Sequence, residues 1–145
     1  MGLDQYAYAV RPHANNTDFE WGWEAHEQDY DSKVTKIAQW RKHSDLQGWM
    51  ENLWLTKRTV AGDPPQPEAE GWFAGTVVFN CDPIRITLTD LEQLETAVNR
   101  QELPETTGFF FGQSGPEDKA DDLLFIANAR KQIADGLEIY YTSWW

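Results

Sequence analysis

Cysteine, basic residues and long apolar runs are all scarce in this chain. Its 145 residues include one cysteine, Cys81, so no internal disulfide can form, which is typical of a reducing compartment. No apolar run reaches the roughly 18 residues that a membrane-spanning helix needs. The first residues also lack the basic and apolar regions of a secretory signal. These absences predict a cytoplasmic protein with no membrane association.

The shortage of basic residues gives the chain a strongly acidic balance. Lysine and arginine total 12 against 24 aspartates and glutamates, for a net charge of −12. A protein that binds nucleic acid directly is expected to be basic, so we predict no direct nucleic-acid partner. The acidity has two interpretations. One is solubility, and the other is mimicry of nucleic acid, in which carboxylates replace phosphates in a partner's basic cleft.

Aromatic residues, by contrast, are abundant, with eight Trp, seven Phe and five Tyr. Each brings a large apolar area, and Trp and Tyr add a polar tip that needs a partner when buried. This content argues against disorder and, with the length, predicts one globular domain over residues 1–145. Residues 61–71 contain three prolines and predict a surface loop.

The residue pattern predicts a fold that mixes strands and helices. Runs of strand-forming or apolar residues predict five strands at residues 3–11, 72–79, 84–88, 108–112 and 137–141. Capping residues followed by apolar residues at helical spacing predict helices that start near residues 33, 44, 89 and 117. We therefore expect an α+β fold, a mixed sheet of about five strands with three or four helices.

Two of the helices carry detailed expectations. The first would be capped by Ser32 and would place Val34, Ile37 and Trp40 on one face. The last would run from about Glu117 to Asp135, with acids near its positive N-terminal end. Its inward residues would be Leu123, Ile126, Ala127, Ile133 and Ala134.

The best candidates for an anion contact lie in residues 32–60, which hold six bases and two acids. Here Trp40 precedes Arg41, Lys42 and His43, and an arginine fork with an imidazole beside an aromatic ring suits a phosphate or carboxylate. The alternative is structural, because cations at a helix C-terminus complement the helix dipole. We predict Trp40, Arg41 and His43 as ligand-binding residues.

A second candidate surface is the acidic loop at residues 18–31. It carries Trp21, Trp23 and Tyr30 among its carboxylates, so it is predicted to meet a protein partner or else to be a plain solvated loop. Its acids lack the spacing of a calcium-binding loop, and zinc would need more histidine or cysteine. We predict no metal site.

Recognisable catalytic signatures are missing from the chain. The phosphate-loop, dinucleotide-binding, GxSxG, HExxH and CxxC patterns are all absent. Cys81 is expected to be a buried structural residue, because nothing in the sequence places a histidine beside it. The sequence therefore predicts neither a catalytic residue nor a cofactor.

Four blocks carry a resemblance to a known group of proteins. They are the opening Met1-Gly2-Leu3-Asp4 with Tyr6 and Tyr8, Trp40–His43 with Leu46–Met50, residues 103–112, and Tyr140-Tyr141-Thr142-Ser143-Trp144-Trp145. In these blocks the chain resembles a group of small bacteriophage and bacterial proteins that are sometimes labelled phosphoglycerate kinase. That label does not fit a chain far shorter than a two-domain kinase and without a phosphate loop. The resemblance implies a phage-encoded protein that acts in the host cytoplasm.

The function predicted from these features is binding. We expect a small accessory protein that binds a host protein or a small anionic ligand, with acidic mimicry as one route. One alternative is an enzyme acting on a nucleotide or phosphorylated metabolite, in which Arg41 and His43 bind the phosphoryl group and shuttle a proton. The other is a virion or assembly component anchored by Trp144 and Trp145.

Overall fold

An antiparallel sheet organises the part of the chain that the structure describes. The computed structural model describes residues 2–10, 34–60, 83–106 and 112–144. Within these ranges the protein has four strands and three helices, so the predicted α+β class is confirmed.

The first strand of the chain lies inside the sheet rather than at its edge. Strand β1 (Asp4–Val10) pairs with β2 (Val34–Arg41) on one side and with β4 (Glu138–Trp144) on the other. Strand β3 (Ile84–Ile86) pairs with β4 and completes the order β2-β1-β4-β3. All of these pairings are antiparallel, so the prediction of a mixed sheet is wrong for the described residues, which form four strands.

Alternation along β1 gives the sheet two different faces, since successive side chains of a strand point to opposite sides. Ala7 and Ala9 belong to the main hydrophobic core. Tyr8 and Val10 form a separate cluster with Tyr140 of β4. We call the side that carries Tyr8 the outer face.

Three helices cover the inner face. They are α1 (Ser44–Val60), α2 (Leu88–Asn99) and α3 (Asp118–Ala134). Helix α2 is capped by Thr87, whose hydroxyl accepts from the Asp90 amide while the Asp90 carboxylate accepts from the Thr87 amide. The helix begins at Leu88, one residue before the predicted start near residue 89.

The core joins all three helices to the sheet. Its largest members with almost no exposure include Leu46 and Met50 of α1, Leu91 and Leu94 of α2, Phe125 and Ile126 of α3, and Tyr141 of β4. The predicted apolar spacing of α1 and α2 is thus confirmed. Burial on this scale contributes about 1.5–3 kcal/mol for each large apolar side chain.

Residues 34–41 form strand β2, so the helix predicted from Lys33 is wrong. The ladder pairs Ala7 with Ala38 but Tyr8 with Lys36, which leaves Ile37 as an extra residue in a β-bulge. Both Ile37 and Ala38 pack against the core, as does Trp40. The bulge therefore gives a strand the three-residue apolar spacing that resembles a helix.

Helix α3 has the predicted bounds to within one residue but a different buried face. Its buried residues are Asp122, Phe125, Ile126 and Ala129. Of the predicted inward residues, Ile126 is buried and Leu123 and Ile133 pack against the core, as predicted, whereas Ala127 and Ala134 are exposed. Gly136 follows the helix with a φ of 89°, a left-handed conformation that glycine adopts readily at the end of a helix.

Several predicted features lie outside the described residues. They are the strand at 72–79, most of the run at 108–112, the loops at 18–31 and 61–71, and Cys81. Among the helices of the described part, none is long and apolar enough to cross a membrane.

Candidate functional site

A buried histidine lies where β2 passes into α1. The side chain of His43 is 2% exposed, and its backbone amide and carbonyl both bond the amide side chain of Gln5. This two-point contact fixes the backbone of His43 against the central strand. The imidazole is consequently held inside the protein, where both of its nitrogens need partners.

One imidazole nitrogen faces a buried carboxylate. His43 Nε2 lies 2.8 Å from Oδ2 and 3.1 Å from Oδ1 of Asp122, which is 1% exposed on α3. The indole Nε1 of Trp40 donates to the same Oδ1 at 3.0 Å. Asp122 therefore accepts hydrogen bonds from a strand residue and from the residue that precedes α1.

The other imidazole nitrogen faces a hydroxyl. His43 Nδ1 lies 2.7 Å from Oγ of Ser114, and this Oγ accepts from the backbone amide of Asp45 at 3.0 Å. Ser114 is partly exposed, whereas His43 and Asp122 are buried. We call Ser114, His43 and Asp122 the polar triad.

The partners of the neutral imidazole determine its tautomer. An ionised carboxylate only accepts, so Nε2 carries the proton and donates to Asp122. Nδ1 then has a lone pair and accepts from the Ser114 hydroxyl, whose oxygen is left to accept from Asp45. Every hydrogen bond of the polar triad has one donor and one acceptor in this arrangement.

Burial and neighbouring charges act on Asp122 in opposite directions. Burial raises the pKa of Asp122 above its usual range, while the hydrogen bond from His43 lowers it. The carboxylate of Asp118 adds to the rise, and its Oδ2 lies 3.7 Å from His43 Nδ1. Two carboxylates of α3 thus lie close to one imidazole.

A second set of buried polar side chains continues from the triad along the inner face. Gln5 donates to the Tyr141 hydroxyl at 2.9 Å, and this hydroxyl donates to Gln47 Oε1 at 2.5 Å. The amide of Gln47 then donates to Ser143 Oγ at 2.9 Å. Burial raises the pKa of Tyr141 well above its usual range, so the hydroxyl keeps its proton.

Arg41 belongs to a different surface from His43. Asp4 of β1 is paired with Arg41 on one side and with Trp144 on the other, and paired residues of antiparallel strands share a face. The Arg41 side chain is 70% exposed, with its Nε 3.9 Å from Asp4 Oδ1, and Trp144 is 53% exposed. We call Asp4, Arg41 and Trp144, with Tyr6 and Gln39 of the next row, the outer patch.

The predicted site residues are therefore divided. Trp40 and His43 meet at Asp122, inside the protein. Arg41 lies on the outer patch and does not join them. Trp21, Trp23 and Tyr30 lie outside the described residues.

Sequence reasoning missed Ser114 and Asp122 as partners of His43. For Asp122 a signal was present, because it precedes Phe125, Ile126 and Ala129 by three, four and seven residues and so shares their face of α3. Asp122 instead counted among the acids predicted to complement the positive N-terminal end of α3. Ser114 lies in a turn and has no periodic pattern that would connect it to His43.

The polar triad does not resemble a metal centre, and among the residues described no group of three or more His, Cys, Asp or Glu could hold a metal ion. Comparison with known proteins adds no assignment, because no protein-family model, curated protein or solved structure matches this chain. The candidate functional features of the described residues are therefore the polar triad and the outer patch.

Proposed function

We propose that the protein acts by binding a protein partner through the outer patch. The observation that supports this is Trp144, which is 53% exposed in the same row as exposed Arg41. Tryptophan and arginine are the residue types enriched where interfaces concentrate their binding energy. An exposed tryptophan held on a strand also loses little freedom when a partner covers it.

The position of the outer patch favours a protein over a small ligand. Small ligands are usually bound in concave sites, whereas the outer patch lies on the face of a sheet. Lys36 extends its amine over the Tyr6 ring of the outer patch, 5.8 Å from the centroid, and adds a second cation to this surface. We expect the partner to offer an apolar pocket for Trp144 and acidic groups around it.

The resemblance to bacteriophage proteins makes a host-cell protein the partner that we propose. Mimicry of nucleic acid by the acidic surface stays a prediction, tested by binding to basic DNA-processing enzymes of the host at low salt. A phosphoryl site built from Arg41 and His43 has no support in the geometry. Arg41 contacts Asp4, and His43 contacts Asp122 and Ser114.

The test is to isolate the partner with the tagged protein and then to measure affinity with variants. We expect Trp144→Ala to weaken binding by about 30-fold or more, as for a residue at the centre of an interface. Arg41→Ala should weaken it less, and its effect should shrink as salt screens the charge.

Leu124→Ala is the matched control. Leu124 is 61% exposed on α3, in the helical layer on the other side of the sheet. Its truncation should leave affinity unchanged. An affinity that survives Trp144→Ala, or that falls equally with Leu124→Ala, would contradict the proposed contact surface.

Exposure of Trp144 also supports a second candidate, a virion or assembly component. In that case the outer patch would join copies of this chain. Sedimentation velocity distinguishes the two, since an assembly component forms a homo-oligomer that Trp144→Ala dissociates. A monomer that still binds the host protein supports the first candidate.

A further inference from the structure

We infer that Ser114 is a nucleophile for acyl transfer, with His43 as its general base and Asp122 as the residue that positions His43. This activity goes beyond the proposed function, because it uses none of the residues of the outer patch. It rests on the distances within the polar triad and on which of its members solvent can reach.

The hydroxyl and the imidazole are already in the geometry of proton transfer. Ser114 Oγ lies 2.7 Å from His43 Nδ1, within the range expected for a nucleophile and its base. Asp122 Oδ2 lies 2.8 Å from Nε2 and keeps the proton on that nitrogen. Either ring nitrogen can act as the base when the other donates to a carboxylate, so the order hydroxyl–imidazole–carboxylate is what matters.

The surroundings favour the charges that would develop during the reaction. The Asp45 amide, at the N-terminal end of α1, donates to Ser114 Oγ at 3.0 Å and so favours loss of the hydroxyl proton. The imidazole gains positive charge as it takes the proton. Asp122 at 2.8 Å and Asp118 at 3.7 Å stabilise that charge.

Accessibility identifies the reacting atom and limits the substrate. His43 and Asp122 are buried, whereas Ser114 is partly exposed, so the substrate would approach the polar triad from the side of Ser114. The Asp118 carboxylate lies 3.7 Å from His43 Nδ1, the same imidazole nitrogen that contacts the Ser114 hydroxyl. Its negative charge favours an uncharged or cationic acyl donor over a phosphorylated one.

The reaction with an ester balances in two steps. Ser114 Oγ bonds to the carbonyl carbon, its proton passes to His43 Nδ1, and the alcohol leaves with the bonding electron pair and that proton. Water then attacks the acyl-serine ester and gives its proton to Nδ1. The bond from carbon to Oγ breaks, the proton returns to Oγ, and the carboxylic acid is released.

The test uses two probes on the full chain, a fluorophosphonate and 4-nitrophenyl acetate. We expect the fluorophosphonate to form one adduct, which peptide mass spectrometry assigns to Ser114 of the wild-type protein. Ser114→Ala should abolish it. Asp122→Asn should slow labelling by about 100-fold or more, as expected when a general base is lost or misoriented.

Two controls separate reactivity from folding. Ser114 also satisfies an amide at the start of α1, so rates are measured well below the unfolding midpoint of each variant and per folded molecule. Ser143→Ala removes a buried serine hydroxyl outside the polar triad and should leave labelling unchanged. The labelling experiment tests no residue of the outer patch, so this inference and the proposed binding can fail separately.

Absence of an adduct at Ser114 in folded wild-type protein would overturn the inference, even if Ser114→Ala does not fold. So would an Asp122→Asn variant that is labelled at the wild-type rate. For the substrate class, 4-nitrophenyl acetate should be hydrolysed faster than the carboxylate-bearing 4-nitrophenyl succinate. Equal rates, or faster hydrolysis of 4-nitrophenyl succinate, would overturn the proposed preference for uncharged or cationic acyl donors.

Discussion

Gly48 lies in the second turn of α1, where a neighbouring segment occupies the space that a side chain would need. A β-carbon at position 48 would overlap Oγ1 of Thr106. Thr106 is held in place, since its amide donates to Asp45 Oδ1 at 3.1 Å and its hydroxyl donates to the Pro104 carbonyl at 2.9 Å. A glycine that weakens an isolated helix thus allows the segment after α2 to pack against α1.

Replacing this glycine should therefore destabilise the protein. In a solvent-exposed helix Gly→Ala gains about 1 kcal/mol, but overpacking against Thr106 costs about 1–3 kcal/mol. We expect Gly48→Ala to lower the free energy of unfolding, measured by urea denaturation. The double variant Gly48→Ala/Thr106→Ala should recover most of the loss. A single variant more stable than wild type would show that Thr106 moves aside freely.

The buried site contains four residues, the three of the polar triad and Trp40, which donates to Asp122. Two of the four could be predicted from the sequence. Trp40 and His43 were identified because they stand beside Arg41 in a basic stretch. Their partners Asp122 and Ser114 are 79 and 71 residues away from His43. Packing of α3 against the sheet brings them together, and no local spacing records that packing.

The local sequence pattern correctly predicted the helices and strands in which buried residues recur at one regular spacing. Helices α1 and α2 each keep a single buried stripe, so their spacing is diagnostic. Strand β2 does not, because the extra residue Ile37 interrupts its alternation. The bulge depends on pairing with β1, so the pattern of residues 34–41 alone could not reveal it.

An exposed pair joins helices α2 and α3 and should give the protein a pH-dependent contact. Arg130 donates to Glu95 through two nitrogens, at 2.6 and 3.3 Å. The hydrogen bond from Arg130 holds the pKa of Glu95 below its usual range. Stabilisation by the pair is therefore complete above the ordinary pKa of glutamate and is lost as pH falls through the lower, folded-state value.

We expect the Glu95→Gln variant to be less stable than wild type at pH 7, by a small margin because the pair is solvated. The difference should shrink as pH falls below about 4, when measured by urea denaturation across that range. In an Arg130→Gln background the same substitution should have no pH-dependent effect. A difference that persists at low pH in wild type would mean that Glu95 contributes through packing and not through its charge.

For the whole molecule, the net charge of −12 is the dominant electrostatic property. Repulsion among the carboxylates disfavours the compact state, and salt screens that repulsion. We expect NaCl raised from low to physiological concentration to stabilise the protein by about 1 kcal/mol, or roughly 3–6 °C in Tm. Calorimetry at pH 7 tests this, and the gain should be smaller at pH 5, where some carboxylates are protonated. A lower Tm in salt would indicate that attractive pairs dominate.

The pairing of β1 with β4 determines when the sheet can form during synthesis of the chain. Asp4 is opposite Trp144 and Val10 is opposite Glu138, so the middle of the sheet joins segments more than 120 residues apart. While the ribosome is still making α3, β1 has no partner on that side and an unpaired edge lies open. Contacts of such long sequence separation also slow folding. The inner face, with Tyr141 and Ser143, is complete only after β4 has emerged from the ribosome, so the sheet closes after translation of its last strand.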